Sequence, residues 1–174
     1  MAGSLEVRTS FKVPSDLDET ELRRRLVVPS AERIYFDSGY LVKLYLMEPD
    51  SARVRARAEG SDGLACCATG RGEVVATFHR HFREKRLTRR EFRQLAAQVE
   101  VDLDAGLWTA LPVTSSLIEA QTHRMAALPA EVFLRAGDAL HLACAAEAGL
   151  REVYSSDRHL VAAAPHFGLR PVTL

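Results

Sequence analysis

The stretch YFDSGYLVKLYLMEPDS, residues 35–51, contains the pattern from which the fold can be predicted. It opens with apolar, strand-forming residues, places one acid at Asp37, and continues as a helix. We expect that helix to end before Glu48, because a residue that precedes proline avoids helical angles. One carboxylate between a strand and a helix is common, since aspartate caps the free amides of a helix N-terminus. The same arrangement recurs later in the chain, and the recurrence requires an explanation.

From residue 33 onward, short apolar segments alternate with segments of helical periodicity. Strands are predicted at RIYF (33–36), LACCA (64–68), WTALPV (108–113), EVYSS (152–156) and LRPVTL (169–174). Helices are predicted at SGYLVKLYLM (38–47), SARVRARAEG (51–60), RGEVVATFHRHFREK (71–85), TRREFRQLAAQVEVDLDAGL (88–107), SLIEAQTHRMAAL (116–128), DALHLACAAEAGL (138–150) and DRHLVAAA (157–164). Thr88 with Glu91 and Ser116 with Glu119 have the spacing of capping boxes. Strands that alternate with helices form a parallel sheet covered on both faces, so the predicted fold class is α/β.

Composition favours one cytoplasmic domain without a strong charge preference. The chain has 174 residues with 23 basic and 23 acidic side chains, so its formal net charge is zero. Any attraction to nucleic acid must therefore come from local clusters of charge. No apolar run approaches the length of a membrane span, and no basic-then-apolar leader opens the chain. Cys66, Cys67 and Cys144 are odd in number and lie among apolar residues, which indicates buried reduced thiols rather than a disulfide framework or a zinc site.

The first 32 residues differ from the rest of the chain. They have weak periodicity, two prolines and several turn-forming residues. We expect residues 1–32 to form an extension or arm, of which residues 1–4 (MAGS) have the character of a cloning remnant. The predicted domain therefore spans residues 33–174.

Four acids stand at strand ends or helix starts. Asp37 and Asp157 each follow a predicted strand, and helix capping alone accounts for each of them. Asp138 introduces a helix that is apolar nearly all round, where capping and a functional role are both compatible with the pattern. Glu73 lies near the start of the helix after the second strand, where a surface glutamate also favours the helix dipole.

The joint pattern is more informative than any single acid. The carboxyl ends of parallel strands lie at one edge of a sheet, where ligands bind. Carboxylates that converge there raise one another's pKa unless a cation neutralises them. Hard oxygen ligands in small number suit Mg²⁺ or Mn²⁺. The sequence therefore predicts a divalent-metal site at this edge.

Four stretches carry a resemblance to a known family. They are IYFDSGYLVKLYL (34–46), GEVVAT (72–77), AGDALHLACA (136–145) and VYSSDRHL (153–160). In order and spacing they resemble PIN-domain nucleases, most closely the VapC-type toxins of type II toxin–antitoxin pairs. The resemblance covers residues 34–174. Two features depart from it, namely the glycine-rich stretch CCATGRG (66–72) before Glu73 and the N-terminal extension.

The resemblance implies a three-layer α/β/α PIN-like fold with a mainly parallel sheet, and metal-dependent hydrolysis of RNA to a 5′-phosphate and a 3′-hydroxyl. It implies that Asp37, Glu73, Asp138 and Asp157 bind Mg²⁺ or Mn²⁺ and form the catalytic site. Ser155 takes the place of a hydroxyl residue that hydrogen-bonds to a carboxylate, and Ser38 is a supporting candidate. The family also implies a cognate antitoxin protein and a homodimer.

Binding of RNA would require local positive charge. The segment HRHFREKRLTRREFR (79–93) contains seven Lys or Arg against two Glu, and it is either a solvated hairpin tip or a rim that contacts phosphates. Its candidate contacts are Arg83, Lys85, Arg86, Arg89 and Arg90. Arg71 and Arg158 lie closer in sequence to the predicted site acids and are further candidates.

Other interpretations remain to be weighed. His141 and His159 lie near site acids, but metal-dependent hydrolysis needs no histidine, and we expect both to be structural. A haloacid-dehalogenase-like phosphatase needs a second acid where this chain has Gly39, and a receiver domain needs a late lysine, whereas no lysine follows Lys85. The main alternative is a PIN-like module that binds RNA or protein without significant turnover.

Overall fold

The computed structural model describes residues 33–174, which form five strands and seven α-helices. The strands are β1 (Ile34–Phe36), β2 (Leu64–Cys67), β3 (Thr109–Leu111), β4 (Glu152–Tyr154) and β5 (Arg170–Val172). The helices are α1 (Ser38–Tyr45), α2 (Ser51–Glu59), α3 (Ala68–Arg83), α4 (Arg89–Asp104), α5 (Ser115–Ala126), α6 (Ala136–Glu147) and α7 (Arg158–Ala163), and a 3-10 turn at Ala164–Phe167 follows. The predicted extension at residues 1–32 lies outside the described residues, and the domain boundary stays a prediction.

The five strands form one wholly parallel sheet in the order β3-β2-β1-β4-β5. Tyr35 in the central strand pairs with Ala65 of β2 on one side and with Val153 of β4 on the other. The chain adds strands to one side of β1 and then crosses to the other side to form β4. The carboxyl ends of β1 and β4 therefore flank the point where the strand order reverses, which is where ligands bind in open α/β sheets.

The alternation of side chains along β1 divides the interior into two cores. Ile34 and Phe36 face a core built with α1, α2, α3 and α4. Tyr35 points to the opposite face, where it packs with residues of α5, α6 and α7. Because successive strand residues point to opposite faces, a fully buried three-residue strand contributes to both cores. The arrangement confirms the predicted three-layer α/β/α fold.

Three helix starts differ from the prediction. Helix α3 begins at Ala68, three residues before the predicted Arg71, so Glu73 lies in its second turn. Helix α6 begins at Ala136, which places Asp138 inside the first turn and not at the N-cap. Helix α5 is capped by Thr114, whose hydroxyl accepts from the Leu117 amide (3.2 Å), so the capping box predicted at Ser116 and Glu119 was wrong. The capping box at Thr88 and Glu91 is confirmed.

The glycine-rich start of α3 has a steric cause. Gly70 is buried against β2, and a Cβ atom built on it would lie 2.4 Å from Sγ of Cys66 and 3.6 Å from Cε1 of His141. Gly72 is exposed, and a Cβ there would meet no atom within 4 Å. The close approach of α3 to the sheet therefore requires glycine at position 70 alone.

Two sequence predictions about the chain's environment can be compared with the structure. The three cysteines are buried and free, as predicted. Within residues 33–174, no helix combines the length and apolar character that a membrane crossing requires.

Candidate active site

Asp37 and Ser155 connect the ends of the two central strands. Asp37 follows β1 directly and caps α1, where its Oδ1 accepts from the Tyr40 amide at 2.8 Å. Its Oδ2 accepts from the hydroxyl of Ser155, which follows β4 and is fully buried. The Ser155 hydroxyl in turn accepts from the Asp157 amide at 2.9 Å. One buried serine thus fixes Asp37 and the backbone that carries Asp157.

Asp157 caps the short helix α7. Its Oδ1 accepts from the amides of His159 (2.7 Å) and Leu160 (3.1 Å). Capping is therefore a correct local description of both Asp37 and Asp157, as their positions predicted. The same geometry holds both carboxylates at the carboxyl edge of the sheet.

Asp138 carries the clearest sign of an incomplete site. Its Oδ2 is buried and has no hydrogen-bond partner among the described residues. Burial raises the pKa of Asp138, and the negative charges of Asp157 and Glu73 raise it further, against the attraction of Arg135 and His141. A buried carboxylate oxygen without a partner in the protein is costly, so such a group in a native fold points to a bound water or ion, or to a functional role.

The electrostatics of Asp37 point the same way. Burial raises its pKa, and the charge of Asp157 adds to the effect, while hydrogen bonds from Ser155 and Tyr40 oppose it. Because Asp157 perturbs both Asp37 and Asp138, the three aspartates share one electrostatic environment. A cation at this edge would lower the free energy of all three carboxylates.

Glu73 reaches the site from α3 and is held by a histidine. Its Oε2 lies 3.0 Å from Nε2 of His141 on α6. The hydrogen bond from His141 lowers the pKa of Glu73, and a hydrogen bond from Ser38 contributes in the same direction. Glu73 is therefore ionised at neutral pH. Ser38, predicted as a supporting residue, thus affects the pKa of Glu73.

The histidine belongs to a buried hydrogen-bond relay. Nδ1 of His141 lies 2.8 Å from the hydroxyl of Tyr35, and that hydroxyl accepts from the Cys67 amide at 2.9 Å. An ionised carboxylate only accepts hydrogen bonds, so Nε2 of His141 carries the hydrogen that it shares with Glu73. The relay thus attaches Glu73 to β1, β2 and α6.

Sequence reasoning missed this relay. The prediction that His141 is structural is compatible with its burial, but the residue also fixes the position of a site acid. The available signal was weak: His141 follows Asp138 by three residues, and residues at that spacing share a helix face. No pattern in the sequence pairs either residue with Glu73 or Tyr35.

Two observations bear on whether these acids could bind a divalent ion. Within the part of the chain that the structure describes, no three His, Cys, Asp or Glu side chains lie close enough to ligate one metal ion. Asp37, Asp157 and Glu73 instead use carboxylate oxygens as acceptors for internal donors. The unpartnered oxygen of Asp138, which feels the negative charges of Asp157 and Glu73, nevertheless has the chemistry that a hard cation satisfies. The chemistry of the donors therefore suits a divalent cation, although within residues 33–174 they are not gathered closely enough to surround one ion.

Arg71 and Arg158 are both engaged by neighbours. Arg71 donates from Nε to Oε1 of Glu100 at 2.8 Å, beside an open depression of about 580 Å³ that Glu73 also lines. Arg158 donates from Nε to Nε2 of His159 at 3.2 Å. Both side chains are exposed, and their role in RNA binding stays a prediction.

The basic segment lies at the turn between α3 and α4. Lys85 occupies the left-handed region with φ +57°, Arg86 pairs with Glu84, and Arg89 lies over the ring of Phe82. All five candidate contacts are exposed: Arg83, Lys85, Arg86, Arg89 and Arg90. The segment is thus a hairpin tip, and contact with phosphates remains its functional interpretation.

The order of the strands, the covering helices and the acids at the point of strand reversal define an α/β fold with an acidic edge. A family model described as PIN domain matches residues 34–164, which include all four predicted site acids. The chain therefore belongs to the PIN domain family, whose members are generally nucleases that use divalent metal ions. No curated protein matched the chain.

Proposed function

We propose that this protein is a metal-dependent endoribonuclease that hydrolyses RNA phosphodiester bonds at the edge where Asp37, Glu73, Asp138 and Asp157 lie. The observation that carries the proposal is the buried, unpartnered Oδ2 of Asp138 among other carboxylates. A purely structural acid at this position would cost stability with no compensating bond. Membership of the PIN domain family supports the same conclusion.

The four acids would hold Mg²⁺ or Mn²⁺. When bound, such an ion polarises the phosphodiester, lowers the pKa of the attacking water and stabilises the leaving oxygen. The chain's own contribution is to fix the acids before substrate arrives. Ser155 orients Asp37, and His141 orients Glu73.

We further propose that the enzyme is a VapC-type toxin of a toxin–antitoxin pair that acts as a homodimer in the cytoplasm. The four matching stretches support the toxin assignment, and three free cysteines suit a reducing compartment. The cognate antitoxin is expected to cover the acidic edge with a basic side chain, because a cation of either kind relieves the repulsion between these carboxylates.

Cleavage of a mixed, labelled RNA pool with Mg²⁺ or Mn²⁺ tests the proposed activity. Asp138→Asn and EDTA should each abolish cleavage. Asp102→Asn is the control, because Asp102 is a helix aspartate on the other face of the sheet. Asp102 is buried, but its Oδ1 accepts from Gln98 at 2.7 Å. Equal cleavage by Asp138→Asn and the parent would contradict the proposal. RNA binding without cleavage in any metal would instead favour the alternative of a binding module.

A further inference from the structure

One large aromatic side chain is exposed beside the acidic edge. Phe133 lies in the loop between α5 and α6, and 57% of its surface is exposed. Its ring contacts the ring of His159 edge to face, with centroids 4.8 Å apart and planes at 69°. Phe36 and Phe78, in contrast, are completely buried in the core. Phe133 thus has an ordered aromatic neighbour but leaves most of its surface open.

Both rings are linked to site acids. The backbone amide of His159 donates to Oδ1 of Asp157, the residue two positions before it. Phe133 precedes Asp138 by five residues on the segment that leads into α6. The aromatic pair, in which Phe133 is exposed and His159 is half-buried, therefore joins the two segments that carry Asp138 and Asp157.

Two arginines accompany the aromatic pair. Arg158 donates to the His159 ring at 3.2 Å. Arg135, two residues after Phe133, lies close enough to Asp138 for its charge to lower the pKa of that carboxyl against the effect of burial. We call Phe133, Arg135, Arg158 and His159 the aromatic–basic rim.

We propose that the aromatic–basic rim binds a nucleobase of single-stranded RNA next to the scissile phosphate, with Phe133 as the stacking platform and the two arginines beside the backbone. The inference rests on the proposed ribonuclease function and adds the residue on which a base of the substrate stacks. Single strands are recognised by bases that stack on aromatic rings beside cationic groups, whereas the bases of a duplex are already stacked. An exposed ring with guanidinium groups close by has this chemistry.

Binding of a fluorescent single-stranded RNA, measured by anisotropy without divalent ions, tests the inference. Phe133→Leu keeps apolar bulk but removes the ring, and it should weaken binding about tenfold, which corresponds to the loss of one stacked base. Phe133→Tyr keeps the ring and should bind as the parent does. Val101→Ala is the matched control, since Val101 is 56% exposed on α4, in the opposite helical layer.

Replacement of single nucleotides in the RNA by abasic sites locates the contact. At one position, removal of the base should weaken RNA binding by the parent about tenfold. The same removal should not weaken RNA binding by Phe133→Leu any further. The stacking role is wrong if Phe133→Leu binds RNA as tightly as the parent does, as it would if Phe133 contacted a protein partner instead. It is also wrong if Phe133→Tyr and Phe133→Leu weaken RNA binding equally. If the parent still cleaves RNA, only this inference fails. If the parent neither binds nor cleaves RNA, the proposed function fails as well.

Discussion

At the scale of single residues, Asp138 combines two properties that a structural aspartate does not need. One of its oxygens is buried without a partner in the protein, and burial and then the neighbouring acids raise its pKa. Asp37, which is buried, and Asp157, which is half-buried, both cap helices through hydrogen bonds to backbone amides. Asp138 is therefore the acid whose charge is best explained by function.

Asp138→Asn should stabilise the metal-free protein by roughly 0.5 kcal/mol or more, although it removes activity. The reason is that the folded state raises the pKa of Asp138, so ionisation of this group costs stability. The gain should be largest at neutral pH and shrink as pH falls toward the ordinary aspartate pKa, where the parent side chain is itself protonated. Chemical denaturation in EDTA between pH 7 and pH 4.5 measures it. The proposed repulsion is wrong if Asp138→Asn is less stable than the parent at pH 7, or if Asp102→Asn gains as much.

Tyr35→Phe should lower the free energy of unfolding by about 1–3 kcal/mol, because the Cys67 amide loses its acceptor and Nδ1 of His141 its partner in a buried site. The same change loosens His141 and should reduce cleavage. Tyr40→Phe is the matched control, since Tyr40 also accepts from one amide, that of Leu174, at 2.9 Å. Denaturation and cleavage rates should separate the two variants. Both should lose stability, but for the same loss of stability Tyr35→Phe should lose more cleavage activity than Tyr40→Phe. An identical loss of activity in both would show that the relay does not position Glu73.

At the scale of elements, much of the structure could be predicted from the sequence, and the predictions that were wrong have physical causes. The number and order of strands and helices follow from apolar segments alternating with helical periods. The start of α3 could not be predicted, because glycines in a sequence indicate a loop. The contact that requires glycine at position 70, its close approach to Cys66, is made with a different element of the fold. The predicted start of α6 was wrong because Arg135 occupies the N-cap and its side chain makes no capping hydrogen bond, so no capping residue marks the position in the sequence. His141 read as core and is indeed buried, but its bond to Glu73 joins residues far apart in the chain.

Two glycines of α3 offer a matched pair of substitutions. Gly70→Ala should lower the free energy of unfolding by about 1–3 kcal/mol, because the new methyl group overlaps Sγ of Cys66. Gly72→Ala should raise it by about 0.5–1 kcal/mol, since the position is helical and open. Thermal or urea denaturation measures both. The double variant Cys66→Ala with Gly70→Ala should be more stable than the sum of the single losses predicts, and simple additivity would contradict the steric explanation.

At the scale of the whole molecule, the topology brings the acids of distant segments to one edge. Parallel strands predicted that edge from the sequence, and the reversal of strand order between β1 and β4 places Asp37 and Ser155 on either side of it. The sequence could not predict which oxygens remain without partners, because that depends on side-chain packing. The central claim is that the four acids form one divalent-metal site of a nuclease.

Calorimetric titration of the metal-free protein with Mn²⁺ tests that claim most directly. The parent should bind Mn²⁺, and Asp138→Asn should bind at least about tenfold more weakly, since a buried carboxylate ligand has been replaced by a neutral amide. Asp102→Asn should bind as the parent does, because its carboxylate already has an internal partner in the opposite core. Undiminished Mn²⁺ binding by Asp138→Asn, or no binding by the parent, would contradict the claim.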